Sequence, residues 1–295
     1  MVNIYEFARN NPSLVKQFTC KDILFLIIEC PPEFTKGNEL TEHNCFLYCI
    51  SGKHILYSNN RSWLFQQGET VFVKKGAMGV RKIGDEVFCV LMFFVPDRYL
   101  KTFITEKIEI FKNLDTGPVT KDLLFCIETN EILRSFYDSV LAYLSELKQP
   151  DEDLIDLKFK ELLLNITTDP SNKELMGYLY KLYLSHSDEL QDVMDRNYMY
   201  DLSLENFARL CHRSIASFKR DFQKIYGMPP GKWLLQKRLE NARHLLLDLS
   251  KTVNDAALES GFKNNTHFSR AFKINFGSSP LQFRKNQVRS PVPEL

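Results

Sequence analysis

Two stretches of this 295-residue chain are near copies of each other: FKRDFQKIYGMPP, starting at Phe218, and FSRAFKINFGSSP, starting at Phe268. Phe218, Arg220, Phe222, Tyr226, Gly227 and Pro230 align with Phe268, Arg270, Phe272, Phe276, Gly277 and Pro280, every pair fifty positions apart. Each copy reads as one helix that follows a shorter one. Ser203 stands before LENFARLC and Ser214 before the first copy, both in the N-cap position. Thr252 stands before VNDAALESG with Asp255 three residues on, the pattern of a capping box. Gly227, Gly261 and Gly277 are stop signals. The order short helix, turn, longer helix therefore occurs twice, with the first turn one residue shorter than the second.

The apolar stripes of the longer helices are Ile215, Phe218, Phe222, Ile225 and Tyr226 in the first and Phe268, Phe272 and Phe276 in the second. Away from them lie Ala216, Lys219, Arg220 and Gln223, and Thr266, Ser269, Arg270 and Lys273. Those faces are small, polar and cationic, with Asp221 the acidic exception. A solvated helix face ordinarily mixes both signs. The net charge of +1 conceals the same asymmetry: residues 1–199 hold 22 Lys and Arg against 29 Asp and Glu, and residues 200–290 hold 16 against 7. A basic C-terminal third points to a polyanionic partner.

A helix-turn-helix inserts its second helix into the DNA major groove, which calls for short side chains, amides and hydroxyls for base edges, and Arg or Lys for guanine or phosphate. Both faces meet that description. Between the copies, Pro230 to Leu247 reads as a helix of 18 residues, roughly 27 Å long at about 1.5 Å per residue. Readers at its two ends would stand about one DNA turn apart. The expectation is a double-stranded DNA-binding domain over 187–290 with two helix-turn-helix motifs in one chain. A two-copy helical repeat that binds protein is the alternative, and solenoids ordinarily need about three repeats.

The N-terminal hundred residues are strand-like. DILFLIIEC, CFLYCISG, KHILYS, SWLFQQ, ETVFVKKG and EVFCVLMFFV are short, β-branched and aromatic, and separated by the turn signals Pro31-Pro32, Ser51-Gly52, Asn59-Asn60, Gln67-Gly68, Lys75-Gly76 and Gly84-Asp85. They predict a small barrel or sandwich over about 20–96. After LDTGP, helices are expected over about 119–166: one through KDLLFCIETNEILRSFYDSVLAYLSEL, carrying Leu123, Ile127, Leu133, Phe136, Val140, Leu141 and Leu144, and one through QPDEDLIDLKFKELLLNI. Their stripes exceed what one small barrel needs, and a homodimer through them is expected. Residues 171–186 are taken as a linker region, with a helix at KELMGYLYKLYL and a cap in SHSDE.

The seven cysteines are scattered and form no Cys-x-x-Cys pair, which fits a reducing cytoplasm. Cys45 and Cys49 share a strand face and are the one pair considered for metal or redox chemistry. No basic lead into an apolar segment marks a signal peptide, and the longest apolar runs fall short of the ~20 residues of a membrane span. There is no Gly-x-Ser-x-Gly, P-loop, Gly-x-Gly-x-x-Gly or His-Glu-x-x-His, so no catalytic residue, cofactor or metal is expected.

LSLENFARLCHRSIASFKRDFQKIYGMPPGKWLLQKRLENARHLL and TVNDAALESGFKNNTHFSRAFKINFGSSPLQFRK resemble the AraC/XylS transcription regulators, the second through Gly261-Phe262, Phe268 to Lys273, Phe276-Gly277, Pro280 and Phe283-Arg284. RLCHRS departs from the family by lacking a glycine in the first turn. The resemblance implies a seven-helix DNA-binding domain and a regulator, expected as an activator working with RNA polymerase. It places Ala216, Lys219 and Arg220 on DNA from the first reading helix, with Ser214 near phosphate and Gln223 beside them. From the second it places Asn265, Thr266, His267, Ser269 and Arg270, with Lys273 beside them. The N-terminal part resembles the cupin-type sensors of such regulators, so residues 1–170 are expected to be a cupin-like sensor and dimerisation domain and the whole chain α+β. The effector, a small molecule or a protein, is left open. The cupin metal set is missing: His43 and His54 form no His-x-His, and KKGAMGV stands where Pro-x-Gly-x-x-His belongs. A metal-dependent cupin enzyme is the remaining alternative. VKKG and the aromatic strands are also similar to the type III secretion activators of the family, which partner proteins control.

Overall fold

The computed structural model describes residues 1–12, 15–30, 33–58, 61–112, 122–145, 150–184 and 189–289. The turn signals Pro31-Pro32 and Asn59-Asn60, the LDTGP stretch and the SHSDE cap except Glu189 lie outside them. The chain divides into two units, Met1–Glu189 and Leu190–Leu295.

The first unit is strand-rich. Val2–Asn3 (β1), Lys36–Thr41 (β4), Lys53–Ser58 (β6), Arg61–Gln66 (β7) and Gly76–Lys82 (β9) form one sheet in the order β1-β4-β9-β6-β7. Lys16–Cys20 (β2), Ile23–Glu29 (β3), Asn44–Ser51 (β5), Thr70–Val73 (β8), Cys89–Val95 (β10) and Leu124–Ile127 (β11) form the other, in the order β11-β8-β5-β10-β3-β2. All neighbours are antiparallel except β1 on β4.

The six-stranded sheet is apolar on both faces, and period-2 alternation divides its side chains between two cores. Leu24, Leu26, Cys45, Leu47, Val90 and Met92 face the other sheet and meet Leu56, Phe65, Met78 and Val80 there. Phe25, Phe46, Phe72, Leu91 and Phe93 face the opposite way, into a helical layer. That layer holds the helices Asp97–Glu106 (α2), Ile108–Lys112 (α3), Glu131–Ser145 (α4), Glu152–Thr168 (α5) and Lys173–Leu184 (α6); Ile4–Asn10 (α1) packs on β4 instead. Phe159 of α5 meets Phe25, Phe46 and Phe93 with ring centroids 5.9, 6.0 and 6.3 Å away, and Tyr137 of α4 stacks on Tyr48 at 4.0 Å. Each such fully buried ring contributes roughly 1.5–3 kcal/mol.

Two expectations are corrected by the fold. The helix read through Leu123 and Ile127 is strand β11 for its first part, paired along β8, and helix only from Glu131, where the Asn130 carboxamide oxygen accepts from the Leu133 amide. The stripes of α4 and α5 expected to seek a second copy are spent on this chain's own sheet: Leu133, Phe136, Val140, Leu144, Ile155, Phe159 and Leu162 are buried in the core. The helix expected at KELMGYLYKLYL is Lys173–Leu184 (α6), and its Leu175, Met176, Tyr178 and Leu179 belong to the same core.

Between the sheets a cavity of about 50 Å³ is lined by Glu39, Leu47, His54, Phe65, Phe88 and Met92 among others. Burial lowers the His54 imidazole to about 4, and His54 stacks on Phe88 at 3.6 Å. Burial likewise raises the Glu39 carboxyl to about 7. Cys45 and Cys49 lie in the same inter-sheet core as free thiols, and burial pushes both well above the usual thiol range. They behave there as small apolar residues. Among the described residues no helix is long and apolar enough to cross a membrane.

The stretch read as a Lys75-Gly76 turn buries two cations. The Lys75 ammonium, its side chain 3% exposed, lies 2.7 Å from the Asp97 carboxylate, which is 11% exposed. Asn44 donates from Nδ2 to Asp97 at 2.7 Å, and its Oδ1 accepts from the Lys75 amide and the Tyr178 hydroxyl, each at 3.1 Å. Lys74 Nζ lies 4.8 Å from the Phe125 ring centroid and 4.7 Å from that of Tyr178. Removing one partner of a buried pair leaves a charge uncompensated, so Asp97→Ala is expected to cost about 3–5 kcal/mol in urea unfolding, and Lys75→Met/Asp97→Leu much less. Equal losses in the two variants would contradict the pairing.

Candidate nucleic-acid interface

Glu189–Asn197 (α7), Leu204–Leu210 (α8), Ile215–Tyr226 (α9), Pro230–Leu245 (α10), Val253–Glu259 (α11), Asn265–Phe276 (α12) and Pro280–Arg289 (α13) are the seven helices among the described residues after Leu184. Local chemistry sets their ends. Ser203 caps α8, and its amide is in turn capped by Asn206, closing a capping box. Ser214 caps α9 by accepting from the Ser217 amide, and Thr252 and Asp255 form the capping box of α11. Asn264, which the sequence reading passed over, caps α12 by accepting from the Thr266 and His267 amides. Gly227 and Gly277 end α9 and α12 in the left-handed region, at φ +68° and +78°.

The turns within the two motifs open with the same closure, although the first is one residue shorter. Cys211 and Ser260 close α8 and α11 with nearly identical backbone angles, and His212 and Gly261 then adopt φ +52° and +86°. The Arg213 amide donates to Ala208 O and the Phe262 amide to Ala257 O, with the preceding amides donating to Arg209 O and Leu258 O. This is a Schellman closure in both copies. His212 therefore occupies the left-handed position where the family glycine is absent. The residue after it differs more. Phe262 packs on Phe268 at 5.0 Å, fastening the second turn to its helix through apolar contact. Arg213 instead donates from Nε to Asp221 Oδ2 at 3.1 Å and from Nη1 to Cys211 O at 3.0 Å. Arg213 thereby holds the Asp221 carboxyl below its ordinary range, which accounts for the one acid on the face of α9.

Helix α10 is 16 residues long, two fewer than expected because its last turn loosens at Leu246 and Leu247, and so spans about 24 Å. It is the wall both motifs share. Near its start Trp233 packs edge-on to Phe222 at 5.8 Å and against Tyr226 at 5.0 Å. Farther along, Leu239, Ala242 and Leu246 form a core with Phe268 and Phe272. Arg238 donates to Tyr198 O at 2.7 Å and Tyr200 O at 2.8 Å, and Asn241 donates to Ser260 Oγ at 3.2 Å, bracing the second turn.

With Phe218, Phe222, Phe268 and Phe272 fully buried, the expected reading residues take the outer faces. Ser214, Ala216, Lys219, Arg220 and Gln223 are exposed on α9. Asn265, Thr266, His267, Arg270 and Lys273 are exposed on α12, and Ser269 is half-buried. Ile225, placed in the apolar stripe from its spacing, is 44% exposed; the stripe is narrower because α10 meets the Phe222 and Tyr226 edge through Trp233. Arg213 and Ser217, both at the turn side of α9, also border this face. The isolated acid at Asp221 was the signal that a cation had to be near.

Known proteins agree with this geometry. Residues 44–178 match the ExsA N-terminal regulatory domain and residues 207–286 a helix-turn-helix domain. The chain is 26% identical over 245 residues to the virulence regulon transcriptional activator VirF of Yersinia enterocolitica serotype O:8, covering 80% of this chain and 90% of that one. It is 25% identical to the thermoregulatory protein LcrF of Yersinia pestis, covering 81% and 88%, and 23% identical to the regulator ExsA of Pseudomonas aeruginosa, covering 81% and 84%. The chain is homologous to the AraC-family regulators VirF, LcrF and ExsA. It is a helix-turn-helix transcription regulator with an N-terminal regulatory domain.

The second turn seats closely against the segment before α8. A Cβ on Gly261 would lie 2.6 Å from Met199 O, which Arg238 holds through its neighbours, whereas one on Gly227 meets nothing within 4 Å. Gly227→Ala is expected to cost about 1–2 kcal/mol, the left-handed penalty alone, and Gly261→Ala distinctly more. Thermal melts of the two variants decide it; equal shifts would contradict the close approach.

Proposed function

We propose that this chain is a cytoplasmic, sequence-specific transcriptional activator that reads two successive major-groove segments of promoter DNA with α9 and α12. The observation that carries the reading is the pair of acid-poor, exposed faces mounted on one helix, α10, in the basic part of the chain. Lys219, Arg220 and Gln223, with Ala216 allowing close approach and Ser214 near phosphate, would serve the first segment. Asn265, Thr266, His267, Ser269, Arg270 and Lys273 would serve the second. Amides and hydroxyls read base edges, guanidinium groups take guanine in a bidentate contact, and lysines take phosphate. The transcriptional activator VirF supports the direction of regulation, and RNA polymerase is then the machinery engaged. Catalysis has no part in this reading.

The regulatory unit is proposed to receive its signal from a protein at its surface. The inter-sheet cavity of about 50 Å³ is well below the ~300 Å³ at which small-ligand pockets begin. Pairing of two copies is proposed through the outer sides of α4 and α5, where Ile132 and Leu157 are 61% and 64% exposed.

The test uses the full chain and duplexes selected from a random-sequence library. Arg270→Ala is expected to lower affinity for a selected duplex by about 1–3 kcal/mol and erase preference at one base pair. Wild-type affinity is expected to fall linearly on a log–log plot against salt as counterions are retained by phosphate. Absence of any selected duplex, or affinity indifferent to salt, would overturn the reading.

A further inference from the structure

The two motifs place different chemistry at equivalent positions. Where the second has Phe262, His267, Arg270 and Ala271, the first has Arg213, Ser217, Arg220 and Asp221. The Arg213–Asp221 pair does the work of the Phe262–Phe268 contact, tying turn to helix. A half-buried ion pair stabilises no better than an apolar contact of similar size, so stability alone does not account for it. What it adds is a carboxylate beside the reading face. Ser217 Oγ donates to Asp221 Oδ2 at 3.4 Å and accepts from Arg220 Nη2 at 3.3 Å, while Arg220 Nε lies 3.7 Å from Asp221 Oδ1. Arg220, its side chain 65% exposed, is thereby held over its own helix. No hydrogen bond or ion pair restrains Arg270 among the described residues.

Building on the DNA-binding reading, we propose that Asp221 is a specificity-setting positioning residue for the first reading helix. Arg220 must leave the Asp221–Ser217 site to contact DNA. A single phosphate oxygen replaces one anionic partner by another and brings its own charge toward Asp221. The paired O6 and N7 acceptors of guanine are neutral and bidentate, so they satisfy the guanidinium without bringing a second negative charge beside Asp221. Asp221 thus penalises loose contacts more than correct ones, a repulsive element that widens the gap between right and wrong sites. The second helix, with Ala271 at this position, lacks that penalty and supplies the less discriminating grip.

The test compares wild type, Asp221→Asn and Arg213→Met/Asp221→Leu as full chains, with Arg270→Ala marking the half-site of the second helix. Two probes are used: a fixed random-sequence duplex, and sequences selected from a random library. Asp221→Asn is expected to bind the random duplex several-fold more tightly, with a log–log salt slope steeper by about 0.9 for the phosphate gained. Base preference is expected to fall in the half-site not marked by Arg270→Ala and to persist in the other. The double variant restores an apolar turn contact without the charge and is expected to lose selectivity in the same half-site. Wild-type selectivity in the double variant, or unchanged random-duplex affinity in Asp221→Asn, would overturn the role. A wild-type chain that selects no duplex would instead defeat the DNA-binding reading itself.

Discussion

The packing of two phenylalanine pairs against one helix controls everything else in the C-terminal unit. Phe222, with Phe218 packed on it, is fixed near the start of α10 through Trp233, and Phe268 and Phe272 along its later turns through Leu239, Ala242 and Leu246. A helix that buries one edge so completely has no freedom to rotate about its axis. Rotation by a quarter turn would expose two aromatic rings and bury a guanidinium, each costing kilocalories. The outward direction of Lys219, Arg220 and Arg270 is therefore a consequence of core packing, and the recognition chemistry inherits its precision from apolar contacts.

The same logic governs the N-terminal unit with a different geometry. Its six-stranded sheet is apolar on both faces and sits between a second sheet and a helical layer. That double demand explains the density of Phe and Tyr in β3, β5, β8 and β10. It leaves about 50 Å³ unfilled between the sheets, too little for an effector of ordinary size. Buried charge enters at Asp156, which Lys21 and Lys160 pair, and where Lys74 and Lys75 meet Asp97, Asn44 and Tyr178. This network ties strands β5 and β8 to helices α2 and α6, and α6 is the last described helix before the second unit begins.

What could be read without coordinates followed how local the determinants were. Helices α9, α11 and α12 announce themselves through Ser214, Thr252, Gly227 and Gly277 and through aromatic spacing, all within a dozen residues. The shared helix-end closure despite His212 was less visible, since a left-handed histidine has no signature of its own. Strand β11 was mistaken for helix because Leu124 to Ile127 suit either state and pairing with β8, fifty residues away, decides it. Strand β9 was hidden by its glycines; Gly79 is needed because the Tyr57 ring lies over it, where an added Cβ would stand 1.9 Å from a ring atom. The buried lysines looked like a turn because their acidic partner, Asp97, is more than twenty residues distant. At the site itself, the exposed residues were legible from helical phase, and the Arg213–Asp221 tie was not, although the lone acid pointed toward it.

The most direct test of the central claim is hydroxyl-radical footprinting of the full chain on a selected duplex. Two readers fixed on one 16-residue helix should protect two backbone patches about one helical turn, roughly 10 base pairs, apart on one face of the DNA. A single protected patch, or two patches on opposite faces, would contradict the account.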